Sequence, residues 1–166
     1  VLAEARCTLL SEGPELALLP HADGREQDAP AESAVTVFLG HLAQEHRLYI
    51  CASAVVRCGP DPAPRTVGYL VAPDGAVLIR APKVLPDIVE GFTDTVADTF
   101  APCTPQVAKT PLGQIAVLCG EDILYPQLVR GLVTSGAEIL LNPARERRDQ
   151  TFEARMTARQ ARTYEN

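Results

Sequence analysis

Residues 113–143 restrict what this chain can fold into more than any other stretch. After Gly113 and Gln114, Ile115-Ala116-Val117-Leu118-Cys119 is an unbroken apolar run. Pro126 to Ser135 is a helix-length mixture of polar and apolar residues closed by Gly136, and Ile139-Leu140-Leu141 is a second apolar run, ended by Asn142-Pro143. Continuous rather than alternating hydrophobicity marks strands covered on both faces, and a helix-length segment between two such runs makes a βαβ unit. An open α/β sheet places its chemistry just beyond the carboxyl ends of its strands. Functional residues are therefore expected in the turn from Gly120 to Tyr125.

The rest of the chain alternates in the same way. Val1 to Glu12 sets Leu2, Ala5, Leu9 and Leu10 on one face of a predicted helix that Gly13-Pro14 stops. Glu15 to Pro20 reads as a short buried strand, Ala22 to Ser33 as a polar loop, and Ala34 to Arg47 as a helix with Val37, Phe38, Leu42 and Ala43 on its apolar side. Leu48 to Arg57 is the next strand, and the prolines of Cys58 to Arg65 force a loop. Thr66 to Ala72 and Ala76 to Arg80 flank Pro73-Asp74-Gly75, in which Pro presets φ and Gly accepts a positive φ, so the pair is a β-hairpin. Pro86 to Pro105 is mixed and acidic, Ala144 to Gln150 is highly charged, and Thr151 to Asn166 is a helix with Phe152, Met156 and Ala161 inward. Segments in this order predict an α/β fold with helices packed on sheets.

The totals exclude several functions. The 166 residues are the length of one domain with a single sizeable core, and the net charge is -6. Acids dilute the densest basic run, Arg145-Glu146-Arg147-Arg148, so nucleic acid is not an expected partner. No apolar run reaches the roughly 20 residues of a membrane helix, so no membrane partner is expected either. Cysteines at 7, 51, 58, 103 and 119 form no C-x-x-C pair, which argues against a zinc site or a disulfide framework and makes a reducing cytoplasm the simplest location. There is no P-loop or G-x-G-x-x-G, and neither cofactor nor metal is expected.

The turn and its flanks resemble the carbon-nitrogen hydrolase (nitrilase/amidase) superfamily, whose strand-to-helix elbow reads roughly I-C-Y/E-D-x-x-F-P between T-P-x-G and G-A-E. Thr110-Pro111-Leu112-Gly113, Asp122, Tyr125-Pro126 and Gly136-Ala137-Glu138 fall at that spacing, and Arg162-Thr163-Tyr164-Glu165-Asn166 is similar to the family's R-A-x-E-N segment. The resemblance implies an α-β-β-α sandwich, with a first strand before Val1 and further strands after Asn166. Residues 1–166 are thus expected to be one domain that is a fragment of a longer one. It also implies a small amide- or nitrile-type ligand and self-association into a homo-oligomer.

Family members attack the amide or nitrile carbon with a cysteine, use a glutamate as base, and stabilise the oxyanion with a lysine. Lys83 lies where that lysine lies, counted from the hairpin's Gly75, and preorganised positive charge is worth several kcal/mol in acyl transfer. In the family the strand corresponding to Glu15–Pro20 ends in Pro-Glu, whose glutamate is the base; here it is replaced by His21 after Pro20. The nucleophile's position is occupied by Gly120, with Cys119 one residue early. Glu90 is the nearest candidate for a second pocket glutamate.

Side chains alternate along a strand, so if Ile115, Val117 and Cys119 share one face, Cys119 points away from the side on which residue 120 would emerge. Cys119 then reads as a small buried hydrophobe, as free cysteines commonly are. A bulge that turned it into the cleft would make it a substitute nucleophile, with His21 as a possible base. Two function hypotheses follow: a hydrolase-like domain that has lost catalysis and binds a ligand or supports an assembly, or an active hydrolase rearranged around Cys119.

Overall fold

The computed structural model describes residues 15–19, 29–58, 64–84, 106–144, 150 and 152–165. The predicted helix over 1–12, most of the loop over 22–33 and the acidic stretch over 86–105 lie outside these residues, and His21 and Glu90 with them.

Two sheets form the centre. The first holds β1 (Leu16–Leu18), β2 (Tyr49–Arg57), β3 (Pro64–Val71) and β4 (Val77–Pro82) in that spatial order, with β1 parallel to β2 and the others antiparallel. The second holds β5 (Val107–Thr110), β6 (Gly113–Val117) and β7 (Ile139–Leu141), with β5 antiparallel and β7 parallel to β6. Between β6 and β7 run a 3-10 turn over Gly120–Leu124 and helix α2 (Pro126–Thr134), which completes the βαβ unit. Helix α1 spans Glu32–His46 and helix α3 spans Phe152–Glu165.

Period-2 alternation along the strands builds three apolar layers. From β2, Ile50, Ala52 and Val56 face α1 and meet its Leu39, Leu42 and Ala43. The intervening Cys51, with Leu70 and Ile79, faces the second sheet and meets Ile115, Val117 and Leu141. From β6, Ala116 and the following Leu118 turn outward onto Val129 and Leu132 of α2. The order is helix, sheet, sheet, helix: an α/β fold of α-β-β-α type. No helix among the described residues is long and apolar enough to cross a membrane.

The hairpin forms as its sequence dictates. Gly75 has a φ of 88°, and the Asp74 carboxylate accepts the Ala76 N–H at 3.0 Å. Helix α1 departs from the sequence reading at two positions: Val37 and Phe38 are 59% and 42% exposed, and its buried stripe is Leu39, Gly40, Leu42 and Ala43. Contacts to the hairpin set this rotation. Gln44 donates to the Asp74 carbonyl at 2.6 Å, and a Cβ on Gly40 would stand 3.2 Å from the Gly75 carbonyl, so the helix lies close against the turn. Its first turn is fixed by Glu32, which pairs with Arg80 and accepts the Tyr69 hydroxyl at 3.1 Å.

Candidate functional site

The ends of β4, β6 and β7 and the 3-10 turn converge on Gly120. Strand β6 stops at Val117, and the chain stays extended through Cys119 at φ -86° and ψ 132°. Gly120 then adopts a φ of 51°, in the left-handed region that costs other L residues about 1–2 kcal/mol. That reversal turns the strand into the 3-10 turn and on into α2.

Asn142, at the end of β7, clamps this elbow. Its Nδ2 donates to the carbonyls of Leu118 at 2.8 Å and Gly120 at 2.9 Å, while Arg159 of α3 donates to its Oδ1 at 3.3 Å. The Pro143 carbonyl accepts the Gly120 N–H at 3.2 Å and the hydroxyl of buried Ser53 at 3.3 Å. The backbone around position 120 is thus held from β2, β7 and α3 together.

Lys83 comes to the same place from the other sheet. Its N–H donates to the Thr66 carbonyl at 2.8 Å, extending the β3–β4 ladder past Pro82, and the next N–H, that of Val84, donates to Asp122 Oδ2 at 2.8 Å. Asp122 is 1% exposed, so a buried carboxylate on the 3-10 turn ties down the backbone beside Lys83. Apart from the flanking Cys119 and Glu121, a Cβ built on Gly120 would find one neighbour within 4 Å among the described residues, the Lys83 Cε at 3.5 Å. Two positions 37 residues apart therefore face each other, one bearing an ammonium group and the other no side chain.

Cys119 lies elsewhere. It is 1% exposed, its thiol donates to the Ala81 carbonyl at 3.2 Å, and its sulfur sits where a Cβ on Gly68 would be only 2.7 Å away. It occupies the layer between the sheets, on the same side as Ile115 and Val117. Burial pushes its pKa well above the ordinary thiol range; the Asp122 carboxylate and Cys51 add to this, and Lys83 opposes it only in part. Cys51, 0% exposed in the same layer, is pushed up to about 12 by burial alone. The thiolate is the reactive form, so neither sulfur is poised to attack near neutral pH. A cavity of about 60 Å³ borders Cys119, Asp122, Val84 and Leu128, and its lining includes neither Gly120 nor Lys83.

Of the residues singled out in the sequence, the structure brings Lys83 and Gly120 together and sets Cys119 apart from them. No group of three or more His, Cys, Asp or Glu among the described residues has an arrangement that could hold a metal ion. Asn142, Asp122, Ser53 and Gly68 received no role from the sequence. Asn142 directly follows the second apolar run as a polar residue and Asp122 falls at the spacing of the resembling motif, which was the available signal. Nothing in the sequence around Ser53 or Gly68 pairs them with the elbow, because those contacts cross between sheets.

A family model described as carbon-nitrogen hydrolase matches residues 7–166. The structure is similar to that of an amidase from Nesterenkonia sp. AN1, a double mutant in complex with acrylamide, with a TM-score of 0.70 and 22% identity over 90% of this chain and 59% of that one. A mutant of that amidase showing covalent addition of the acetamide moiety of fluoroacetamide at its active site cysteine matches with a TM-score of 0.68 and 22% identity, over 90% of this chain and 59% of that one. A carbon-nitrogen hydrolase from Helicobacter pylori G27 matches with a TM-score of 0.70 and 18% identity, over 89% of this chain and 57% of that one. The chain thus spans less than two thirds of the length of these structures, and at such identities the likeness is one of fold. A search of the curated proteins found no match.

Proposed function

The chain belongs to the carbon-nitrogen hydrolase family, and from that premise we propose that it is a non-hydrolysing member, a domain that binds a small ligand or supports an assembly. The observation that carries this reading is the pairing of Gly120 with Lys83. Covalent amide hydrolysis needs an attacking atom, a base to take its proton and positive charge at the developing oxyanion. The elbow presents position 120 toward the lysine, and glycine supplies no attacking atom there. Retention of the cation without the nucleophile leaves a site suited to binding rather than bond cleavage.

Cys119 is the runner-up nucleophile, and it borders a cavity. Its burial, its bond to the Ala81 carbonyl and its raised pKa support the packing role instead. Use of this sulfur would require breaking its contacts with Gly68 and moving it across the strand. The self-association, cytoplasmic location and small ligand expected from the sequence remain part of this proposal.

The test is ammonia release from a panel of small amides, carbamoyl amines and nitriles. The expected outcome is no release above a heat-denatured control. Sustained ammonia formation that disappears in Cys119→Ala would replace this reading with the rearranged hydrolase.

A further inference from the structure

We propose that Arg159 of α3 is a positioning residue for the elbow: by fixing the orientation of the Asn142 carboxamide it holds the backbone at Leu118 and Gly120, and so sets the direction in which position 120 faces. This rests on the reading of position 120, opposite Lys83, as the site, and adds a residue that acts on it from another element.

The character of α3 is the first observation. No residue of this helix is buried, and its half-buried side chains include Arg155, Arg159 and Arg162, at the i, i+4, i+7 spacing of one helical face. A guanidinium taken part-way out of water needs hydrogen-bond acceptors to offset the cost. For Arg159 one acceptor is Asn142 Oδ1, 3.3 Å from its Nε.

Asn142 has a polarity that suits this contact. A carboxamide carries two N–H donors at one end and an acceptor at the other. Its nitrogen donates to the Leu118 carbonyl at 2.8 Å and the Gly120 carbonyl at 2.9 Å, and its oxygen faces a group that can only donate. Reversal would set the oxygen against two carbonyls and the nitrogen against the guanidinium, so one orientation is selected from both ends. The two carbonyls bracket the reversal at Gly120, whose φ of 51° turns the strand into the 3-10 turn. The bond from Arg159 therefore bears on the peptide units that decide where residue 120 points.

Other bonds at the elbow do not involve α3. The Leu118 N–H donates to the Leu141 carbonyl at 3.0 Å, the Gly120 N–H to the Pro143 carbonyl at 3.2 Å and the Asp122 N–H to the Cys119 carbonyl at 3.1 Å. Loss of the Arg159 bond should re-aim and loosen the elbow without unfolding it.

The experiment uses Gly120→Cys as a reporter and follows iodoacetamide labelling of the introduced thiol against pH, in chains that carry Arg159, Arg159→Met or Arg159→Lys. Methionine keeps an apolar stem and removes the donor, whereas lysine keeps a donor and the charge. With Arg159→Met the thiol turns away from Lys83, so labelling at pH 7 should be at least about threefold slower, while rates at a pH of about 10, where the thiol is ionised in either chain, should agree. Arg159→Lys should recover most of the pH 7 rate. Asn142→Ala should slow labelling as Arg159→Met does, and the two together should do no more than either alone. An unchanged pH profile in Arg159→Met, faster labelling at every pH, or a further effect of Arg159→Met on top of Asn142→Ala overturns the proposal; the last would mean that the guanidinium charge acts directly on the thiol. Hydrogen exchange of Arg159→Met with Gly120 intact serves if the reporter chain fails to fold. There the Gly120 amide should exchange at least about fivefold faster and the Leu70 amide of β3 at its parent rate, and an unchanged Gly120 rate overturns the proposal. A thiol at position 120 that labels no faster than Cys119 while Arg159 is present sinks the reading of the site itself, and this proposal with it.

Discussion

Gly120 and Lys83 face each other across the two sheets, with the Cβ position of the glycine 3.5 Å from the lysine Cε, an ordinary van der Waals separation. A side chain at 120 is therefore excluded by backbone conformation more than by space. Gly120→Cys is expected to fold with a loss of about 1–2 kcal/mol from the left-handed φ. The introduced thiol should lie beside the ammonium, which favours the thiolate. Iodoacetamide at pH 7 should modify that thiol at least about tenfold faster than Cys119 in the same variant, since one pKa unit is tenfold in thiolate. Peptide mass spectrometry of the two sites reads the ratio, and equal rates would show that position 120 does not face the lysine.

Gly68 has the opposite character. A Cβ there would stand 2.7 Å from Cys119 Sγ and 2.9 Å from Val117 Cγ1, so the two sheets approach closely only because β3 carries no side chain at this point. Gly68→Ala should cost about 1–3 kcal/mol by overpacking. Cys119→Ala removes one of the two clashing atoms, so the double variant should be less destabilised than the two single effects combined, a coupling that urea unfolding of all four proteins would measure.

These two glycines show where the sequence was readable and where it was not. The hairpin, the βαβ unit and the alternation that carries Cys119 to the same face as Val117 all follow from local patterns, and the structure has each of them. The apolar face of α1 differs at Val37 and Phe38 because helical periodicity alone leaves the rotation open, and what sets it is Gly40 against Gly75, 35 residues away. The Asn142 clamp, the Asp122 bond to Val84 and the Ser53 bond to Pro143 were illegible for the same reason. Each joins segments whose distance in space is fixed only after the sheets have stacked. The nucleophile position could be counted from flanking residues, but the direction it faces is a property of the elbow.

Thiol accessibility separates the three described cysteines. Cys51 and Cys119 are buried, while Cys58 is half-buried and its sulfur lies 3.2 Å from an Arg80 guanidinium nitrogen. Native labelling with iodoacetamide at pH 7 should modify Cys58 first, although burial and the Glu32 carboxylate hold its pKa above the ordinary value and keep that reaction slow. Cys119 should label no faster than Cys51, and both only at the rate of opening of the layer between the sheets. Rapid modification of Cys119 in the folded protein would mean that its sulfur reaches the cleft.

The Glu32–Arg80 pair predicts the acid limb of the stability curve. Arg80 holds the Glu32 carboxyl below its ordinary value, chiefly by a direct hydrogen bond and further by charge, with the Tyr69 hydroxyl assisting against the cost of burial. A carboxyl whose pKa is depressed on folding contributes stability that is fully present above its unfolded value, about 4.3, and is lost as the pH falls through the lower folded value. The Arg80 side chain is 43% exposed, so the pair is worth less than about 1 kcal/mol. Glu32→Gln keeps an acceptor for the Tyr69 hydroxyl and removes the charge. Its urea midpoint should lie slightly below that of the parent protein at pH 7 and converge with it below pH of about 4. A gap that stays constant down to acid pH would show that ionisation of Glu32 contributes nothing to holding the first turn of α1 on the hairpin.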